Sequence, residues 1–395
     1  MTVAVRSRVV LTGPPLALLI TGAHLANDAF TNILPVYLPT LQLRFGLGEA
    51  ALATLVALIS LSSNVLQAFV GALSDRWGRR RTAALGLMVS SVLMSFIAVA
   101  PTVWALVLVL AIGGLGSAIF HPGAVSMMRD VGSRKSLFIG VFAAGGALGS
   151  AIMPMIVLWI MRVHGAEYVP WLAVVGVAAG LALFVLAPTQ TPATGVNRPK
   201  VFDLALFKGP VGLLSLAGTL RATAFVSFMN AMPLYLVNVR GLAPDAGLIG
   251  TTLATYGIAA ATGGMLVGVF ERRLGRIRLV VTTMLLAVPL LVATLLLEPG
   301  SFAYYVAIAG GGLLTNASVP LLVVSAQDLA PHAVGTASGM LMGLTWGTAG
   351  VAYIGFGTLQ ELVGISPALI ASYLFMVPAA ALAGVVLARH RASLS

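Results

Sequence analysis

His24 and Asp28 stand four residues apart in the stretch TGAHLANDAF, Thr21 to Phe30. On a helix that spacing puts an imidazole and a carboxylate on one face, close enough to interact. Thr31 and Pro35 continue the face, and Asn27 sits beside it. The stretch lies in a long apolar run. An ionisable group inside a membrane is costly, faces a bundle interior or a wet cavity, and usually has a function. The chemistry these two residue types offer is uptake and release of a proton. Asp28 would be the carrier, and His24 the neighbour that sets its affinity. A static pair that only ties helices together is the competing reading. Two more ionisable groups stand inside apolar runs, His121 and Arg221. His121 suits a polar contact with a substrate, or a bond to a backbone carbonyl. Arg221 suits recognition of negative charge, or an anchor near the end of its helix.

Other chemistries find no support. The chain has no cysteine, which excludes disulfides, thiolate metal sites and cysteine nucleophiles. Met127, Met128, Met229, Met232, Met340 and Met342 are dispersed along helices and read as packing. No cluster with metal-ligand spacing, phosphate-binding glycine loop or nucleophile elbow is visible in the sequence. The expectation is therefore no enzyme, no metal and no cofactor beyond a proton gradient.

The elements that must position these groups follow from composition. Of 395 residues, 59% are hydrophobic and 8% charged, where a soluble domain carries about a quarter charged. Apolar runs recur at lengths that cross a bilayer as helices. Twelve spans are expected near 15–43, 48–72, 80–100, 103–128, 136–161, 168–188, 209–239, 245–271, 277–297, 301–327, 334–359 and 366–388. Arg6 and Arg8 precede the first run, which has no small-residue cleavage site and reads as a span, not a signal peptide. Of the 22 basic residues, eighteen fall on the side of the termini and three (Arg44, Arg162, Arg240) on the other; Arg221 lies within a span. Both termini are thus expected in the cytoplasm. The net charge of +11 reads as a topology signal and an attraction to anionic lipid, not as nucleic-acid binding.

PTQTPATGVNRPK, Pro188 to Lys200, is the long polar, proline-rich segment at mid-chain. It divides a six-helix bundle over 1–188 from another over 209–395, with a cytoplasmic linker at 189–208. The halves share a pattern. Phe30, Asn32, Pro35, Tyr37 and Leu38 recur 198 residues later as Phe228, Asn230, Pro233, Tyr235 and Leu236. Pro122, Asp130, Gly145 and Gly149 recur at the same offset as Pro320, Asp328, Gly343 and Gly347. Gly71, Gly78, Arg79 and Arg81 recur at an offset of 197 as Gly268, Gly275, Arg276 and Arg278. Six spans per half give parallel repeats, which place a substrate site between the halves near the midplane. His24, Asp28 and His121 correspond to Ala222, Val226 and Val319. The polar groups belong to one half while the skeleton belongs to both.

The loop GALSDRWGRRR, Gly71 to Arg81, resembles the signature of the major facilitator superfamily. The resemblance implies a cytoplasmic gate built on Gly71, Asp75, Arg76, Gly78, Arg79 and Asp130. The second copy, GVFERRLGRIR, has Arg272 where Asp75 stands, so a weaker latch is expected there. Span five, GVFAAGGALGSAIMP, is similar to the glycine-rich helix of antiporters in that superfamily, though no proline follows Gly145 directly. In that fold spans one, four, seven and ten line the cavity, and these carry His24, Asp28, His121 and Arg221.

HLANDAF and LPVYLPTL in span one, GLGSAIFHPGAVS in span four and GGALGSAIMP in span five are similar to the fosmidomycin-resistance branch. Gly123 departs from that branch. The resemblance implies a proton-coupled exporter of drugs or other small molecules, a multi-pass protein of the inner (plasma) membrane and, by default for the fold, a monomer. Substrate contacts are expected from Asn27, His121, Arg221, Asn32 and Asn230. The fixed charge suits an anionic or polar neutral substrate. A proton-coupled importer and a passive uniporter are the alternatives on the same fold.

Overall fold

The computed structural model describes residues 10–67, 77–129, 131–132, 135–189 and 204–391. Among these residues the chain is all-helical, without a strand. In chain order α1 is Gly13–Thr31, α2 Leu34–Phe45, α3 Glu49–Ser60, α4 Arg79–Ser95, α5 Val103–Arg129, α6 Lys135–Val163 and α7 Ala173–Leu186. After the short α8, Leu204–Lys208, come α9 Pro210–Asn238, α10 Gly247–Leu274, α11 Arg276–Leu296 and α12 Phe302–Leu329. The last are α13 Val334–Gly339, α14 Thr345–Val363, α15 Ile365–Leu374 and α16 Met376–Arg389.

Nine helical stretches among the described residues are long and apolar enough to cross a membrane. The first expected span is built differently. It breaks at Asn32 and Ile33, where α1 gives way to α2. Pro35, at the start of α2, has no N–H to continue the ladder. The backbone N–H and the Nδ2 of Asn32 both donate to the Asp28 carbonyl, at 3.1 and 3.0 Å. The second repeat tolerates Pro233 inside a continuous α9, where Asn230 donates to the Val226 carbonyl at 2.8 Å. The second and eleventh spans each contain a π-helical turn, Leu61–Val65 and Met340–Leu344. These two turns meet where α3 packs along α14.

The repeated residues have physical roles. Phe30 and Phe228, and Tyr37 and Tyr235, are all buried core. Gly78 and Gly275 precede α4 and α11 with φ of +90° and +79°. That backbone region strains any residue with a Cβ.

The two halves of the chain meet along α3 with α14 and along α6 with α10. At the end remote from the termini, Asn238 donates to Gln42 Oε1 at 2.8 Å, and the Ala50 N–H donates to Glu361 Oε1 at 3.0 Å. Gln42 in turn donates to Glu49 at 3.1 Å. Of the expected gate, Gly71, Asp75, Arg76 and Asp130 lie outside the described residues. Gly78 caps α4, which begins at Arg79. The second copy carries ion pairs of its own. Arg276 Nε donates to Glu271 Oε1 at 2.7 Å and its Nη1 to Asp328 Oδ2 at 2.6 Å. Glu271, one residue before the position matching Asp75, supplies the missing acid, so this half has a charged cluster of its own.

Candidate functional site

The site grows from α1. His24 and Asp28 lie on one face, with His24 Nε2 3.1 Å from Asp28 Oδ2. His121, on α5, comes to the other oxygen, its Nε2 3.2 Å from Asp28 Oδ1. One carboxylate is therefore held between two imidazoles from two helices. Asn27 donates to Asp28 Oδ1 at 3.0 Å and to Ser117 Oγ of α5 at 2.9 Å, fixing α1 against α5.

Helix α6 supplies the wall behind His24. The Phe142 ring stacks on the imidazole at 3.8 Å between centroids, with 9° between planes. The Phe142 carbonyl lies 2.7 Å from His24 Nδ1. Glycines let α6 come this close. A Cβ at Gly146 would lie 2.5 Å from Asp28 Oδ2 and against the His24 ring. One at Gly145 would lie 3.0 Å from the Thr21 carbonyl, and one at Gly149 would overlap the Leu25 carbonyl. The glycine-rich span thus has a direct use here: it makes room for the ionisable pair.

The protonation pattern follows from the hydrogen bonds. A backbone carbonyl only accepts, so the Nδ1 of His24 donates to Phe142 O. By the same logic the Nδ1 of His121 donates to Ser117 O at 2.9 Å. A neutral imidazole with Nδ1 protonated has a bare lone pair on Nε2. Both Nε2 atoms nevertheless face carboxylate oxygens at hydrogen-bond distance. Each contact is favourable only with a proton on it. The arrangement therefore fits two protons beyond a carboxylate and two neutral imidazoles. The His24 side chain is only 8% exposed, while Asp28 and His121 keep 20% and 22% and so a path to water.

The donor atoms of His24, Asp28 and His121 all lie within 4.8 Å of one another, near enough to share one metal ion. Spacing along the chain does not show this cluster, because His121 reaches it only through helix packing. Sequence reasoning also missed Phe142, Ser117 and Gly146, although Phe142 and Gly146 stand in the glycine-rich motif it singled out.

Of the other expected contacts, Asn230 and Arg221 sit apart from the trio, and Asn32 meets it at the Asp28 backbone. Asn32 is exposed and donates to Asp28 O and to Ser150 Oγ of α6, at 3.0 and 3.1 Å. Asn230 is buried, with its amide on its own helix. Arg221 is buried on α9 and donates to Asn316 Oδ1 at 3.1 Å.

Nine helices among the described residues that are long and apolar enough to cross a membrane, with an ionisable trio packed between three helices, mark a polytopic membrane protein. The chain belongs to the Major Facilitator Superfamily, whose sequence profile matches residues 20–353. It is 26% identical over 374 residues to the uncharacterized MFS-type transporter YfnC of Bacillus subtilis, covering 90% of this chain and 89% of the relative. It is 24% identical over 356 residues to the fosmidomycin resistance protein of Escherichia coli, covering 88% and 86%. A bacterial homologue of the human lysosomal transporter Spinster, solved inward-facing and unoccupied, shares the fold with a TM-score of 0.72. That likeness covers 96% of this chain and 98% of the other at 16% identity.

Proposed function

We propose that the protein exports a small molecule across the inner membrane in exchange for protons. The observation that carries this reading is the trio: a carboxylate between two imidazoles, each with its other nitrogen tied to a backbone carbonyl. Asp28 is the carrier, and His24 and His121 hold the protons on it. His121 also links the two tasks. A polar donor group of the substrate that takes the place of His121 on Asp28 makes the proton of that contact dispensable, so binding and proton release become coupled. Asn27 positions the carboxylate, and Arg221, Asn32 and Asn230 complete the polar contacts available to substrate as the halves move. Asp75, Arg79 and Asp130 form the cytoplasmic gate, partnered in the second half by Arg276, Glu271 and Asp328. Twelve spans, two six-helix bundles, cytoplasmic termini and a monomer complete the proposal. The names of the relatives support export: one is a fosmidomycin resistance protein, and others are multidrug resistance proteins.

The test is accumulation of fosmidomycin and other small anions in cells expressing the protein. Lower accumulation that a protonophore abolishes is the expected result. Protection against cationic dyes, and no anions, would contradict the anionic reading.

A further inference from the structure

Arg221 is 2% exposed, and among the described residues no carboxylate lies within ion-pair distance of it. A guanidinium keeps its charge in proteins. Leaving one buried without a counter-ion is expensive. Its present partners are neutral. Nη1 meets the Asn316 amide oxygen at 3.1 Å, and the guanidinium carbon sits 4.8 Å from the centroid of the Trp346 ring. Nε is buried with no hydrogen-bond partner among the described residues. The cation is thus only partly satisfied.

Its surroundings are aromatic. Trp346 is half-buried and stands edge-on to Phe225 at 5.0 Å, and Phe225 lies 5.2 Å from Tyr256. Trp346 stands two residues beyond the end of the π-helical turn Met340–Leu344. Such turns interrupt the regular ladder and are frequent at functional sites.

We infer that Arg221, Asn316 and Trp346 form a binding site for an organic anion with a flat apolar body. The anion's charged group takes the unmet Nε–H of Arg221. Trp346 leaves the guanidinium face and packs against the apolar part. Until then, the indole and the amide stand in for the missing negative charge. The site lies in the second half of the chain, where Val226 and Val319 match Asp28 and His121. The anion's charged group and the protons therefore have separate places on a common scaffold. This names the substrate class within the transport reading above and rests on that reading only for its direction, since binding is measurable without transport.

The experiment is calorimetric titration of the detergent-purified full-length protein with naphthalene-1-sulfonate, and with 1-naphthalenemethanol as the neutral match. The sulfonate should bind at least ~10-fold tighter than the alcohol. Arg221→Gln should weaken it by roughly 30-fold or more. Asn316→Asp keeps the side-chain shape and gives Arg221 an internal carboxylate, while losing the bond that Asn316 Nδ2 donates to the Ala260 carbonyl at 3.2 Å. In the folded variant, checked by its melting transition, it should abolish sulfonate binding. If Arg221 served packing alone, Asn316→Asp would leave sulfonate affinity unchanged, which would overturn the site. So would equal affinity for the alcohol, or no sulfonate binding to the native protein. Arg221-dependent binding without proton movement would leave the site standing and remove the exchange mechanism. Proton exchange with Arg221-independent binding would do the reverse.

Discussion

His121 Nε2 and Asp28 Oδ1 lie 3.2 Å apart, joining α5 to α1 on the carboxylate oxygen that His24 does not meet. Two imidazoles on one carboxylate imply two proton positions, so removing one imidazole should remove one proton from the cycle. His121→Gln keeps a polar group of similar reach without a titratable nitrogen. The proton-to-substrate ratio, read from the potential at which net flux stops, should fall from about two to about one. An unchanged ratio would leave His121 outside the coupling.

The glycines of α6 give a second test. At Gly146 a Cβ would intrude on His24 and Asp28; at Gly149 it would meet only the Leu25 backbone. Gly149→Ala should therefore destabilise the α1–α6 contact by about 1–3 kcal/mol, seen as a lower melting temperature. Gly146→Ala should change the pH profile of transport more than it changes stability. If both variants altered only stability, Gly146 would have no part in positioning the pair.

How much of this was open to sequence reading follows from where each contact arises. The His24–Asp28 pair was legible because both residues sit on one helix, where spacing alone fixes the geometry. His121 and Phe142 reach the pair from α5 and α6, and nothing in the local sequence says how those helices are rotated against α1. The break at Asn32 and Ile33 went unread, since the first span was expected unbroken over 15–43, and proline alone does not decide it: Pro35 opens α2, but its twin Pro233 is absorbed within α9. The Arg276 cluster went unread because the repeat matched Asp75 to Arg272, while the acid sits one residue earlier at Glu271. Trp346 escaped notice, since its partner Arg221 lies on a different helix far along the chain.

The closure at the end remote from the termini is open to direct chemistry. The chain has no cysteine, so introduced pairs report without background. Gln42 and Asn238 are hydrogen-bonded at 2.8 Å across the two halves. A Gln42→Cys, Asn238→Cys double variant should cross-link readily with a short bifunctional reagent. Cross-linking should arrest transport, because alternating access requires the halves to part here. Full transport after complete cross-linking would mean that this contact does not open during the cycle.

The central claim is that Asp28 carries the protons that drive export. It is tested most directly in proteoliposomes loaded with a pH-sensitive dye, comparing the native protein with Asp28→Asn. Addition of fosmidomycin or another small anion should move protons through the native protein and not through the variant. Equal substrate movement in both, without proton flux in either, would contradict the account and leave the His24–Asp28–His121 trio as a tether between helices.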